Sequence, residues 1–136
     1  AKDDSIQQSR NGIGIMIAQN GTISIDNCKI IDEAKAGIAN EGNATITGSN
    51  IEDCGTCGIF WYGNATGEIT NNEILRNCSC GIQIMKGKCT ISGNTIQGHS
   101  AFGIHADKDA DITNDNNKFG QNSISDVNNE AATQQE

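Results

Sequence analysis

GIQIMKGKCTISGNTI, residues 81–96, reads as strand, turn, strand, turn, strand. Gly81-Ile82-Gln83-Ile84 alternates apolar and polar residues, Cys89-Thr90-Ile91 alternates again, and Asn94-Thr95-Ile96 does so a third time. Period two is the mark of a strand with one buried face. The unit recurs behind Gly14, Gly37, Gly58, Gly81 and Gly103, at steps of 23, 21, 23 and 22 residues. Three isoleucine columns run through it: Ile15, Ile38, Ile59, Ile82, Ile104; then Ile25, Ile46, Ile69, Ile91, Ile112; then Ile30, Ile51, Ile74 and Ile96, continued by Phe119. A unit of three short strands cannot bury its apolar edge alone, so it stacks on copies of itself with strands parallel and about 4.8 Å apart. The expected fold is all-β, a parallel β-helix of about five coils with a period of 21–23 residues.

Composition agrees with continuous ladders. There is no proline, which would remove ladder donors. Glycine and asparagine are frequent, and both tolerate the left-handed backbone of sharp corners. The chain divides into an N-terminal segment with a partial coil (1–13), the β-helix (14–127) and a polar tail (128–136). Ile6 ends the partial coil, and Ile124 and Val127 begin a sixth. From Asn128 onward no residue is expected to join the core. No apolar cap covers either open end, so the chain is expected to be one stretch of a longer repeat protein.

Three residues past the second column come Cys28, Ser49, Asn72, Asn94 and Asp115, which predicts an asparagine ladder at that corner. In coil 5 seven residues separate Ile112 from Phe119 where the other coils use five, so a distortion is expected there.

A Gly-Ile-x-Ile element, an Ile-x-x-Asn-x-Ile segment and a return to Gly-Ile, as in Gly81 to Ile104, resemble the right-handed β-helix repeats of the pectate-lyase-like superfamily. The resemblance covers about Gly12 to Asn122. It implies a fold and leaves the function open, because the superfamily holds polysaccharide lyases and hydrolases, phage tailspikes, periplasmic copper-maturation proteins and substrate-binding regions of F-box ubiquitin-ligase subunits. The short, loop-free coils look most like the last two groups.

Catalysis finds little support in the residues. The lyases of that superfamily present acidic calcium ligands beside a base, and the hydrolases clustered aspartates. The outward rows of the second face read Asp26, Thr47, Thr70, Ser92, Thr113 and Ser24, Thr45, Glu68, Thr90, Asp111, with no acidic pair in adjacent coils. Gly98-His99-Ser100 matches the Gly-His-Gly element of the hydrolases only in part. The charges also break the flat threonine rows that adsorption to ice would need. Asp107-Lys108-Asp109-Ala110-Asp111 opens like a calcium loop, but Ile112 stands where the turn glycine belongs and Lys118 where the bidentate glutamate belongs. His99 and His105 are expected at the surface. No cofactor is implied.

Six cysteines raise a second question. Cys54, Cys57, Cys78 and Cys80 fall at one corner of adjacent coils, where four thiolates would suit zinc. The plainer reading makes Cys57 and Cys80 small core residues in a column with Ala36 and Phe102. Cysteines without an obvious pairing point to a reducing, intracellular compartment. Asn-x-Ser/Thr sequons at Asn20, Asn43, Asn64 and Asn77 point to the extracellular alternative.

The most informative surface is the outside of the first face. Its rows read Met16, Ala39, Phe60, Gln83, His105 and Ala18, Glu41, Tyr62, Met85, Asp107. Phe60, Tyr62, Gln83, Met85 and His105 are the expected ligand-binding residues of a non-catalytic binding or scaffold module, with a protein or a glycan as partner. The alternative is a fragment of a polysaccharide lyase or hydrolase. Trp61, between the two aromatics, is expected to point inward unless its bulk flips it out. The formal charge of −8 opposes a nucleic acid or an anionic membrane as partner.

Overall fold

The computed structural model describes residues 1–130 of the 136. The chain winds as a solenoid of parallel strands with three faces. The first face stacks Ile15–Ile17, Ile38–Asn40, Ile59–Trp61 and the opening halves of Ile82–Ser92 and Phe102–Asp115, and closes with Ser125–Asn129. The second face stacks Thr22–Asp26, Asn43–Thr47, Thr66–Thr70 and the closing halves of the same two long strands. The corner expected inside 81–96 is therefore absent: coils 4 and 5 cross it as continuous, bent strands. The third face runs Ser5–Gln7, Lys29–Ile31, Asn50–Glu52, Glu73–Leu75, Thr95–Gln97, Lys118–Gly120.

The isoleucine columns form the interior. Ile25, Ile30, Ile38, Ile46, Ile51, Ile59, Ile69, Ile74, Ile82, Ile91, Ile96 and Ile104 are completely buried. Ile6 pairs with Ile30, so the partial coil is a rung of the third face. Val127 pairs with Ile104, and the strand continues to Asn129, two residues into the segment expected as a tail. Residues 131–136 lie outside the described part. Trp61 points inward, with its indole N–H donating to the Lys88 carbonyl at 3.2 Å. The leading glycines are needed because rungs approach closely there: a Cβ on Gly58 would sit 2.9 Å from the Gly81 carbonyl oxygen.

Coil 5 departs from the sequence reading. Ile104 pairs with Ile82, but Ile112 pairs with Cys89, and Asn114 takes the place opposite Ile91. One extra residue is absorbed in a β-bulge opposite Ile84–Lys86, at Asp107 and Lys108. Asn114 then precedes Phe119 by the same five residues that separate Ile91 from Ile96, so the third corner needs no distortion. Thr113 joins the row of Thr90, Asp115 joins that of Ser92, and Asp111 pairs with Lys88. The reading slipped by two residues, which keeps every side chain on its face and leaves no trace in the apolar pattern.

Two ladders of side chains hold the corners. In the first, Ser49 Oγ accepts the Cys28 N–H, and the Oδ1 atoms of Asn72, Asn94 and Asn117 accept the N–H of Ser49, Asn72 and Asn94 at 2.8–3.0 Å. The amides of the three asparagines donate to the carbonyls of Ile46, Ile69 and Ile91. Asn117, rather than Asp115, completes the ladder. Each ladder residue follows one in the left-handed region: Asn27, Gly48, Asn71, Gly93, Asn116.

A second ladder escaped the sequence reading. It runs through Asn77, His99 and Asn122 and follows a second left-handed column of Asp53, Arg76, Gly98 and Gln121. His99 is fully buried, not on the surface. Its Nδ1 accepts the Asn77 N–H at 3.1 Å, and its Nε2–H donates to the Ile74 carbonyl at 2.9 Å. Those partners require the neutral ring, and burial pushes its pKa below the usual histidine value. The unfolded chain binds a proton below pH about 6.5, where the folded chain does not. The contribution of His99 is thus complete above that pH and lost as pH falls toward the lowered folded value. Denaturant midpoints at pH 7.5 and pH 5.5 are expected to show this loss, and His99→Asn, which mimics its ladder neighbours, is expected to reduce it. An unchanged slope in that variant would assign the effect to other groups.

Candidate binding face

Parallel registration brings the outer residues of the first face into line. Met16, Ala39, Phe60, Gln83, His105 and Asn128 occupy successive rungs of one row. The isoleucines before them, and Val127 before Asn128, point inward, so these side chains point out. The Phe60 and Tyr62 rings stack at 5.3 Å between centroids and 23° between planes, and both are half-buried. Gln83 ties this pair to the next rungs: its Oε1 accepts the Cys57 thiol at 3.0 Å and its Nε2 donates to the Met85 sulfur at 3.3 Å. The His105 ring lies against Phe102, 5.1 Å between centroids. All five residues expected to bind ligand therefore share one contiguous surface. Met85 is exposed, and Met16 extends the apolar strip along the row.

A groove at this strip is lined by Ala36, Ala39, Thr56, Cys57, Phe60 and Gln83. Cys57 and Cys80 are buried, yet they lie outside the interior cluster that contains Cys28, Cys54 and Cys89. Both are packed as small buried residues, as the plainer reading expects, but beside the interior cluster and not within it. Cys57 precedes the strand Ile59–Trp61, and its thiol meets the outward Gln83. Cys57 and Cys80 lie on adjacent rungs, and the Ser79 hydroxyl stands 3.6 Å from the Cys80 sulfur. The neighbouring sulfur holds the Cys80 pKa below, and that of Cys57 above, the usual thiol value, and burial adds to the rise at Cys57.

The four corner cysteines do not gather around one point. Cys54 is fully buried in the interior, where desolvation pushes its thiol up to about 11, while Cys78 is exposed. Among the described residues no set of three cysteine sulfurs comes within metal-ligand distance. All six cysteines are free thiols. Of the four sequon asparagines, Asn77 is buried in the second ladder and closed to a glycan, whereas Asn20, Asn43 and Asn64 are exposed.

The outward second face offers no comparable patch. Ser24, Thr45, Glu68, Thr90 and Thr113 form one polar row, and Asp26, Thr47, Thr70, Ser92 and Asp115 another. Glu68 and Asp111 no longer share a row, which removes the closest approach to an acidic pair that the sequence had offered on this face.

Sequence reasoning missed Phe102, Cys57 and Glu130 as parts of the first-face surface. No local pattern marked any of the three: Glu130 comes beside Asp107 only because the strand runs on past Val127 and pairs Asn128 with His105.

A family model described as a right-handed beta helix region matches residues 3–134. No curated protein and no solved structure matches the chain.

Proposed function

From the premise that this chain belongs to the right-handed beta helix family, we propose that it is a non-catalytic binding module whose working surface is the outside of the first face. The observation that carries this reading is the stacked Phe60–Tyr62 pair, half-exposed and continuous with Met85. A solvent-facing apolar patch rimmed by polar groups is the usual chemistry of an interface. Ring faces suit the C–H faces of sugars, and the amide of Gln83 and the imidazole of His105 supply hydrogen bonds beside them. The partner is accordingly a glycan or a protein surface. The charge of −8 favours a neutral or cationic ligand over a polyanion.

Phe60→Ala with Tyr62→Ala is expected to abolish binding to ligands found on a glycan array or by pull-down. Each aromatic buried at an interface contributes about 1–3 kcal/mol, so the pair accounts for a loss of at least about thirtyfold. The β-rich circular dichroism is expected to be kept, because neither ring belongs to the interior. Normal binding by the double variant would remove the patch from the reading. Shortening of polygalacturonate by the wild-type protein, with or without calcium, would replace the binding module by a polysaccharide lyase or hydrolase.

A further inference from the structure

At the C-terminal end of the first face three side chains of different origin converge. His105 and Asp107 leave one strand, and Glu130 follows the strand of the next rung. One ligand atom from each lies within 4.8 Å of the others, and His105 Nε2 stands 3.4 Å from Glu130 Oε1. We propose that His105, Asp107 and Glu130 bind a divalent transition-metal ion of the zinc class on the outside of the solenoid.

The distances fit such an ion. Zinc–nitrogen and zinc–oxygen bonds of about 2.0–2.2 Å set tetrahedral ligand atoms about 3.3–3.6 Å apart. The His105–Glu130 separation already matches, and a small side-chain rotation brings Asp107 in. The donor set selects the metal class. An imidazole with two carboxylates suits zinc and its first-row neighbours, whereas calcium and magnesium favour all-oxygen shells. Each of the three side chains keeps some exposure, which leaves a fourth position open to water or to a ligand atom.

Two features of the fold prepare the site. The β-bulge of coil 5 falls at Asp107 and Lys108, and a bulge re-aims the side chain it carries. The Phe102 ring lies against the His105 ring and restricts its orientation. One carboxyl oxygen of Asp107 and one of Glu130 also lie within 4.8 Å of each other. Two anions at that distance repel each other, and a divalent cation between them turns repulsion into attraction. The inference does not depend on the binding role proposed for the aromatic patch.

Protein stripped with a chelator is titrated with zinc chloride by calorimetry, and with cobalt(II) to read ligand-field absorption. One saturable equivalent per chain is expected. Loss of an outer-shell partner already weakens metal sites by about 10–100-fold, so His105→Ala and Glu130→Gln are each expected to weaken binding by at least about tenfold. Both variants are expected to keep the wild-type circular dichroism, since neither side chain is in the interior. Cys78→Ser, which removes the exposed thiol, is expected to bind zinc as the wild type does. Absence of saturable zinc binding would overturn the proposal. So would wild-type affinity in His105→Ala and Glu130→Gln, or loss of the bound equivalent in Cys78→Ser, which would put the ion on a thiol.

Discussion

Ile69→Asp is expected to unfold the middle of the solenoid, while Thr70→Asp leaves it folded. Ile69 is completely buried between Ile46 and Ile91. A carboxylate there finds no hydrogen-bond donor and no water. It either stays charged in an apolar rod or takes up a proton, and both routes cost several kcal/mol. Thr70, one residue along, faces outward beside Thr47 and Ser92, and a carboxylate there is hydrated at a cost under about 1 kcal/mol. Each coil contacts only its neighbours, so failure of a central coil separates the two ends of the stack. Urea midpoints followed by circular dichroism check this. Equal losses at the two positions would contradict the alternation of faces.

The second large effect is expected at Asn94. Its Oδ1 accepts the Asn72 N–H, and its amide donates to the Ile69 carbonyl and to Asn117 Oδ1. Asn94→Ala strands two buried backbone groups, the Asn72 N–H and the Ile69 carbonyl. Each orphaned group costs about 1–3 kcal/mol, so the variant is expected to lose about 2–6 kcal/mol. The same experiment separates two readings of coil 5. If Asn117 closes the ladder, Asn117→Ala destabilises the protein and Asp115→Ala, at an exposed position, changes it by roughly 0.5 kcal/mol or less. A larger loss from Asp115→Ala than from Asn117→Ala would restore the register read from the isoleucine spacing alone.

The two ladders explain how a chain with so few aromatics holds a narrow core. Isoleucines supply burial along the strands, but at the two ladder corners the backbone turns through a left-handed residue and leaves N–H and carbonyl groups without strand partners. Water does not reach them, so side chains must. Asparagine serves best because one amide both accepts and donates. Neutral His99 does the same with its two ring nitrogens, which is why a histidine replaces asparagine in the second ladder without breaking it.

The amino-acid sequence by itself determined the coil period, the three isoleucine columns except at Ile112, the partial coil at Ile6 and the rung at Val127. It also determined which residues of the first face point outward. These follow from two local rules, alternation of side chains along a strand and the need of a short amphipathic unit to stack. The outward row from Met16 to His105 was legible for the same reason. The tertiary structure alone decided four matters. The bulge at Asp107 and Lys108 set the register of coil 5, because a slip of two residues preserves the apolar pattern. The corners before Gly58 and Gly81 set Cys57 and Cys80 beside the interior cluster, since the direction of a corner residue depends on backbone torsions that alternation does not reach. The second ladder placed His99 in the interior, where its partners lie 22 and 25 residues away in sequence. The stacking of one rung on the next set Glu130 beside His105, 25 residues earlier, a proximity that no local pattern encodes.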